Sequence, residues 1–299
     1  QAGGFSLYTE SNGYAVGNYA AGIAAEAYDA STGWYNPAGL ALLHNQQAVA
    51  SGVGVFPSSK LTGTASFVSP TGIPAPFNVY TQNFSSLQGG KDGFVPSFHY
   101  ALPLTDRATF GLSVVAPFGL ATDWSRTSAV RYQATYSELL TTDVSPEIGG
   151  FITDNFSLGA GVDLQYSKVK FNSVLGVPTL STVLRQPGSF LDSPSYNKGD
   201  SFGVGFHAGA LWMTDDHHTR VGLNYQSQVN HTFHGWSRLT GPLASPGLNL
   251  TSPFSVITAN PSSAFWSLNL SSNNIDFPDI TTLSGYHDIN DRVAILGSI

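Results

Sequence analysis

The most constraining feature of this chain is the way it turns. Short turns alternate strictly with long loops, and the segments between them carry an apolar residue at every second position. Phe156, Leu158, Ala160, Val162, Leu164 and Tyr166 share one face, opposite Ser157, Gly159, Gly161, Asp163 and Gln165. Phe202, Val204, Phe206, Ala208, Ala210 and Trp212 repeat the pattern against Ser201, Gly203, Gly205, His207 and Gly209. Val221, Leu223 and Tyr225 do so against Arg220, Gly222, Asn224 and Gln226. A period of two belongs to strands with unlike faces. A soluble sandwich would put bulk on one face and charge on the other. Here the polar face is small and nearly uncharged, and charged residues make up 10% of the chain, against about 25% in ordinary soluble domains. Strands of about ten residues joined by short turns at one end and long loops at the other fit a transmembrane antiparallel β-barrel. A soluble sandwich or a β-helix is the alternative.

The short turns share a form: Thr105-Asp106, Thr153-Asp154, Thr214-Asp215 and Asn290-Asp291. Asp and Asn bond locally to the backbone there. Taken in order, strands are expected at Ala48 to Phe56, Val95 to Leu104, Thr109 to Ala116, Val144 to Ile152, Phe156 to Tyr166, Phe202 to Trp212, Val221 to Gln226, Ile280 to Tyr286 and from Val293 onward. Pro117-Phe118-Gly119 interrupts the third. The first forty-odd residues differ from all of this. They are crowded with small side chains (Ala20-Ala21-Gly22-Ile23-Ala24-Ala25), hold no Lys or Arg, and end in Trp34-Tyr35-Asn36-Pro37-Ala38-Gly39. The division expected is a plug over 1–45, with no charge pairing to lock it, and a barrel over 46–299.

Composition excludes several classes. A net charge of −7 with only 12 Lys and Arg leaves no basic patch for nucleic acid. The absence of Cys excludes disulfides, thiolate metal sites and Cys nucleophiles. No apolar run reaches the roughly 20 residues of a membrane helix. The opening Gln1-Ala2-Gly3 reads as a mature end left by cleavage after small residues. No Gly-x-Ser-x-Gly or His-Glu-x-x-His occurs, and His217-His218 sit beside Asp215-Asp216 in what reads as a solvated turn. No catalytic residues, metal or cofactor are expected.

The chain resembles the FadL family of outer-membrane long-chain fatty-acid transporters. The resemblance rests on the segment ending in Asn36-Pro37-Ala38, on Phe118-Gly119-Leu120-Ala121-Thr122-Asp123-Trp124, and on the strand pairs that begin at Phe156 and Phe202. It implies an all-β fold: a fourteen-stranded transmembrane barrel, of which about nine strands fall within these residues, with a small N-terminal hatch inside. An open nine-stranded sheet would leave two edges in hydrocarbon, so the 299 residues are expected to be an incomplete version of the mature chain. It also implies passive uptake of long-chain fatty acids: capture at outer loops, a pocket against the hatch, and lateral release at a kinked third strand. Pro117 and Gly119 are the kink residues expected, since Pro donates no ladder hydrogen bond and Gly permits a bend. A routine bulge is the alternative. Asn36, Pro37 and Ala38 are the expected gating residues.

A fatty-acid conduit needs apolar walls and a basic anchor for the carboxylate. Lys168 and Lys170 are the candidates, although alternation puts Lys168 in phase with the apolar face, where it would snorkel at the rim. Leu180, Leu184 and Phe190 are candidates for the outer capture groove, or for loop packing. Trp34 and Tyr35 line the inner pocket or anchor the plug. The expected partners are hydrophobic small molecules, outer-membrane lipid and lipopolysaccharide, with a monomer in the outer membrane of a Gram-negative bacterium. The same fold carrying aromatic hydrocarbons or other neutral compounds is an alternative, and a β-rich surface adhesin is an alternative of another class.

Overall fold

The computed structural model describes residues 6–69, 74–75, 77–246, 260–271, 275–290 and 292–299. The expectations for Gln1-Ala2-Gly3, for the end of the loop near Asn274 and for Asp291 lie outside them. The strands are β1 (Gln47–Val55), β2 (Lys60–Val68), β3 (Val79–Gln88), β4 (Gly93–Thr105), β5 (Ala108–Val115), β6 (Gly119–Asp123), β7 (Tyr136–Thr153), β8 (Phe156–Leu175), β9 (Ser193–Met213), β10 (Thr219–Gln226), β11 (Val229–His231), β12 (His234–Thr240), β13 (Ala264–Ser271), β14 (Ile275–Phe277), β15 (Ile280–Asn290) and β16 (Val293–Ser298).

Nine of them pair in the order β1-β4-β5-β7-β8-β9-β10-β15-β16, antiparallel throughout. This is one continuous wall of neighbours, the meander that short turns and long loops dictate. The wall is open, with β1 and β16 at its edges. Its outer face carries the apolar set: Leu158, Val162, Leu164, Tyr166, Phe202, Val204, Phe206, Leu223 and Tyr225 are exposed. The inner face is the Gly, Ser and carboxylate set, and it is buried. That inversion, apolar outside and polar inside, suits hydrocarbon rather than water. The short turns lie at one end and are cross-linked there. Arg107 Nη1 meets Asp154 at 2.9 Å, Asn155 Nδ2 donates to Asp215 at 2.6 Å, and His218 lies 3.7 Å from Asp288.

Three parts of the architecture depart from the pattern expected. β7, β8 and β9 run for 18, 20 and 21 residues, about twice what a tilted strand needs to cross a bilayer. Their upper halves lose the clean apolar alternation. β2 and β3 form a hairpin within a stretch that reads as loop. Finally, the chain beyond β10 turns inward. β11 and β14 pair with each other away from the wall, burying Val229, His231, Phe233 and Phe277.

Residues 6–46 form no wall strand. They contain α1 (Gly13–Asn18), α2 (Thr32–Tyr35) and a 3-10 turn over Pro37–Leu42. Asn12 caps α1 by accepting from Tyr14 N at 3.0 Å, and Tyr19 ends it in the left-handed conformation with φ 58°. The small residues of this segment are what let its backbone lie against the inner face of the wall.

Candidate functional site

Asn36 is fully buried and serves two masters. Its Oδ1 accepts from Ala38 N at 3.1 Å, capping the turn that Pro37 begins. Its Nδ2 donates to Ala24 O at 2.6 Å and to Ala210 O of β9 at 3.1 Å. One amide thus fixes the segment to itself and to the wall. The wall leaves room with glycine. A Cβ at Gly149 or Gly159 would strike the Pro37 carbonyl group, one at Gly209 the Asn36 side chain, and one at Gly222 the Ala24 carbonyl. The glycines that read as a wet lining are a dry seat for backbone.

The remaining inner-face side chains supply partners for the segment's own polar groups. Ser157 Oγ donates to Ala38 O at 2.9 Å, Gln226 Nε2 to Trp34 O at 2.9 Å, and Thr109 Oγ1 to Leu43 O at 3.2 Å. His99 Nε2 lies 3.0 Å from Ser11 O, and His207 Nε2 lies 3.1 Å from Gly33 O. Arg220 donates to Glu26 O at 2.5 Å. The wall therefore holds the segment by hydrogen bonds to its backbone carbonyls, one of them from the charged Arg220.

Beneath it lies a cluster that the sequence reading did not pick out. His207 Nδ1 is 2.6 Å from Asp163 Oδ1, and His207 Nε2 is 3.7 Å from Glu147 Oε1. Ser145 Oγ donates to Asp143 at 2.6 Å and lies 3.0 Å from Asp163. Gln165 bridges Asp143, at 3.1 Å, to His231, at 2.9 Å. The only sequence signal was four titratable residues among the Gly and Ser of the inner face.

The interruption at Pro117-Phe118-Gly119 takes the form of the bulge that stood as the alternative to a kink. Val115 pairs with Asp143, and Gly119 with Leu140. Three residues on one strand thus oppose two on the other, which is a β-bulge. Past it, β6 pairs with β7 alone, and Gly93 to Ser97 of β4 pair with β1 alone. The ladder between β4 and its neighbour stops at Phe98–Val114, leaving a slot that a lone bridge, Gly90 to Thr122, closes above. Phe118 turns inward, buried, and stacks on Phe277 at 4.4 Å. Thr141 Oγ1 receives Phe118 N at 2.9 Å and bonds its carbonyl. The N-terminal segment sits on this kink: Leu7 N donates to Pro117 O at 2.8 Å, and Ser6 bridges Phe118. At Gly119 a Cβ would come within 2.8 Å of Leu7, so the glycine there makes room for a neighbour.

Trp34, Tyr8, Phe118, Phe277, Asp143 and Asp163 help line a cavity of about 20 Å³, the size of one water. Tyr35 does not reach it; its hydroxyl donates to Tyr8 O at 2.9 Å and its ring packs edge-on against Tyr8. A second cavity, about 220 Å³, opens at the loop end between the β2–β3 hairpin and residues 129–133, lined by Phe67, Tyr80, Phe84, Val130, Tyr132 and Gln82. Arg131 locks its floor, reaching Asp192 at 2.7 Å and Gln82 at 3.1 Å. Burial opposes the Arg131 charge, but Asp192 outweighs it and raises the pKa above the ordinary value. Burial and Asp192 both raise Tyr132.

Lys168 and Lys170 lie on the outer face, in phase with Leu164 and Tyr166, and Lys170 pairs with Glu138 at 2.6 Å. Neither approaches Trp34. All 12 Lys and Arg of the sequence fall within the described residues, and none lines the inner cavity. Leu180, Leu184 and Phe190 lie in the loop 176–192, whose short helix α3 (Pro178–Val183) packs on the β2–β3 hairpin. Leu180 and Leu184 are half-buried there and Phe190 is partly exposed.

A wall that is apolar outside, polar inside and seats an N-terminal segment defines a membrane-spanning β-protein of the plugged type. The chain belongs to the outer membrane protein transport family (OMPP1/FadL/TodX), whose model matches residues 1–299. It is 26% identical over 306 residues to a long-chain fatty acid transport protein of Escherichia coli O6:H1, an alignment that covers 98% of this chain and 64% of that protein. Its fold is similar to that of a FadL homologue from Pseudomonas aeruginosa, with a TM-score of 0.75 and 23% identity over 97% of this chain and 67% of that one. It is also similar to the toluene transporter TodX of Pseudomonas putida, with a TM-score of 0.58 and 16% identity over 90% of this chain and 64% of that one. The chain thus spans about 64% of the first curated relative.

Proposed function

We propose that the protein is a passive channel for hydrophobic molecules across the outer membrane, with residues 6–46 as its hatch and the slot beside β6 as its lateral exit. Cargo is captured in the aromatic groove at the loop end. It then enters beside Trp34, where Phe118 stacked on Phe277 narrows the path, and leaves between β4 and β6. The observation that carries this is the counted bulge at Ala116-Pro117-Phe118, because it separates two strands that otherwise would pair. Transfer from water to an apolar path is worth about 0.8 kcal/mol per buried methylene, so a gradient suffices to drive it. The family assignment leaves the surface-adhesin alternative without support.

Two substrate classes fit the family. The fatty-acid transport proteins favour a long-chain acid. The residues around the one-water inner cavity favour a neutral compound, such as an aromatic hydrocarbon, on a path that opens there, since they include Asp143, Asp163, Gln165 and Gln226 and no Lys or Arg. A carboxylate beside two carboxylates is repelled. The test is deletion of Pro117 in the full-length protein. One residue fewer makes the ladder to β7 continuous by count and closes the slot. Uptake of labelled cargo should fall at least about tenfold, which is a barrier change of about 1.4 kcal/mol, while the folded wall persists. Undiminished uptake by the folded deletion variant would remove the lateral route.

A further inference from the structure

Two histidines hold the hatch by its carbonyls, and they differ in what faces their second nitrogen. His99 offers Nε2 to Ser11 O, and its Nδ1 lies 2.9 Å from the Ser113 hydroxyl. A hydroxyl can donate, so a neutral ring satisfies both contacts. His207 has no such freedom. Its Nε2 faces the Gly33 carbonyl at 3.1 Å, which only accepts, and its Nδ1 faces the Asp163 carboxylate at 2.6 Å. A neutral imidazole has one N–H, and an ionised carboxylate has none. Both contacts are made only if the His207–Asp163 pair carries one proton more than a neutral ring beside an ionised Asp.

The surroundings supply the charge balance. From β7, Glu147 places Oε1 3.7 Å from His207 Nε2, and neither of its oxygens has a hydrogen-bond partner. From β8 comes Asp163 itself, joined through Ser145 to Asp143 of β7. From β10 the register partner is the neutral Gln226, and from the hatch the neighbour is the Trp34 ring, 5.8 Å away. His207 is fully buried. An imidazolium here is paired on both sides. Removing its proton leaves one of the two contacts, to Asp163 or to Gly33, acceptor against acceptor in a buried site.

We propose that His207 is a positioning residue that holds the hatch shut through Gly33, and that it does so as a proton-loaded pair with Asp163. Loss of the extra proton, as pH rises, turns one of the two contacts into acceptor against acceptor and frees the hatch at Gly33. The inference rests on the reading of residues 6–46 as the moving barrier.

These 299 residues hold no Cys, so labels placed in them meet no native thiol of this part of the chain. Labels at Tyr19→Cys in the hatch and Asp106→Cys in a short turn, both exposed, report the hatch-to-wall distance in the full-length protein from about pH 5 to about pH 9. A single short distance is expected in acid. A displaced population should grow by about tenfold per pH unit below the midpoint, as loss of one proton requires. His207→Gln should show that population at every pH. Asp163→Asn separates the proton account from simple packing. An Asn amide can donate to Nδ1 and leaves Nε2–H for Gly33 O, so this variant should stay closed at every pH. A pH-independent distance in the parent, or a normal pH response in Asp163→Asn, overturns the proposal. Uptake is followed in parallel. A hatch shift without a change in uptake sinks the channel reading and leaves the latch standing, whereas normal pH-dependent uptake with an immobile hatch sinks the latch alone.

Discussion

The backbone N–H of Leu7 donates to the carbonyl of Pro117 across 2.8 Å. The first part of the chain thereby meets the wall where a bulge interrupts the ladder to β7. Proline leaves an unpaired position in the strand, the bulge opens it, and the hatch occupies it. In the proposed channel, plug and exit meet at this contact, and the predictions below follow from that.

Replacing Asn36 by Ala removes three hydrogen bonds at once, to Ala24 O, Ala210 O and Ala38 N. Each buried group left unpaired costs about 1–3 kcal/mol. Thermal unfolding in detergent should show a loss of about 2–4 kcal/mol, and the protease sites of residues 6–46 should open before the wall does. Unchanged protease resistance would mean that the hatch is held elsewhere.

The glycine seat is tested by adding side chains to it. Gly159→Val drives a Cβ into the Pro37–Ala38 backbone, while Gly285→Val meets nothing within 4 Å. The first should expel the hatch and raise leakage of small solutes at least about tenfold; the second should not. Both should keep the heat-modifiable migration of a folded wall. Equal leakage in the two would refute the seat.

At the loop end, Arg131→Ala leaves Asp192 without its charged partner, with only the Tyr132 hydroxyl donating to it, in a site where the two side chains are 5% and 16% exposed. Breaking such a pair costs about 3–5 kcal/mol, borne locally by the groove. Cargo capture should weaken at least about tenfold with the inner hatch undisturbed. Arg131→Lys should recover only part of it, because Lys lacks the fork that reaches both Asp192 and Gln82.

Much of the wall was legible because lipid imposes a strict rule on one face. Over Phe156 to Tyr166, Phe202 to Trp212 and Val221 to Tyr225 the alternation gave the outer face residue by residue, and the Thr-Asp turns gave the ends. Pro117-Phe118-Gly119 marked the break in the ladder, because Pro donates no ladder hydrogen bond. What escaped lies where no such rule acts. The β2–β3 hairpin and the upper halves of β7 to β9 lack the apolar alternation of the lower wall, so their strands looked like loop. The inward turn at β11 and β14 is set by packing of Phe277 on Phe118, 159 positions apart in the chain, which no local pattern records. On the inner face, Asp143, Glu147, Asp163 and His207 were visible one by one. Their convergence on Gly33 depends on the register of three strands and the seat of the hatch. Lys168 and Lys170 drew attention as bases where the chemistry wanted one, and the phase that placed them outside was already in the sequence.

The most direct measurement is an oxidisable tether across the exit. Cysteines replacing Leu7 and Gly119 lie at a contact where an added Cβ comes within 2.8 Å of the Leu7 side chain. In the full-length protein, oxidation should stop uptake of labelled cargo and reduction should restore it. A tethered protein that carries cargo at the untethered rate would contradict a hatch-sealed lateral exit.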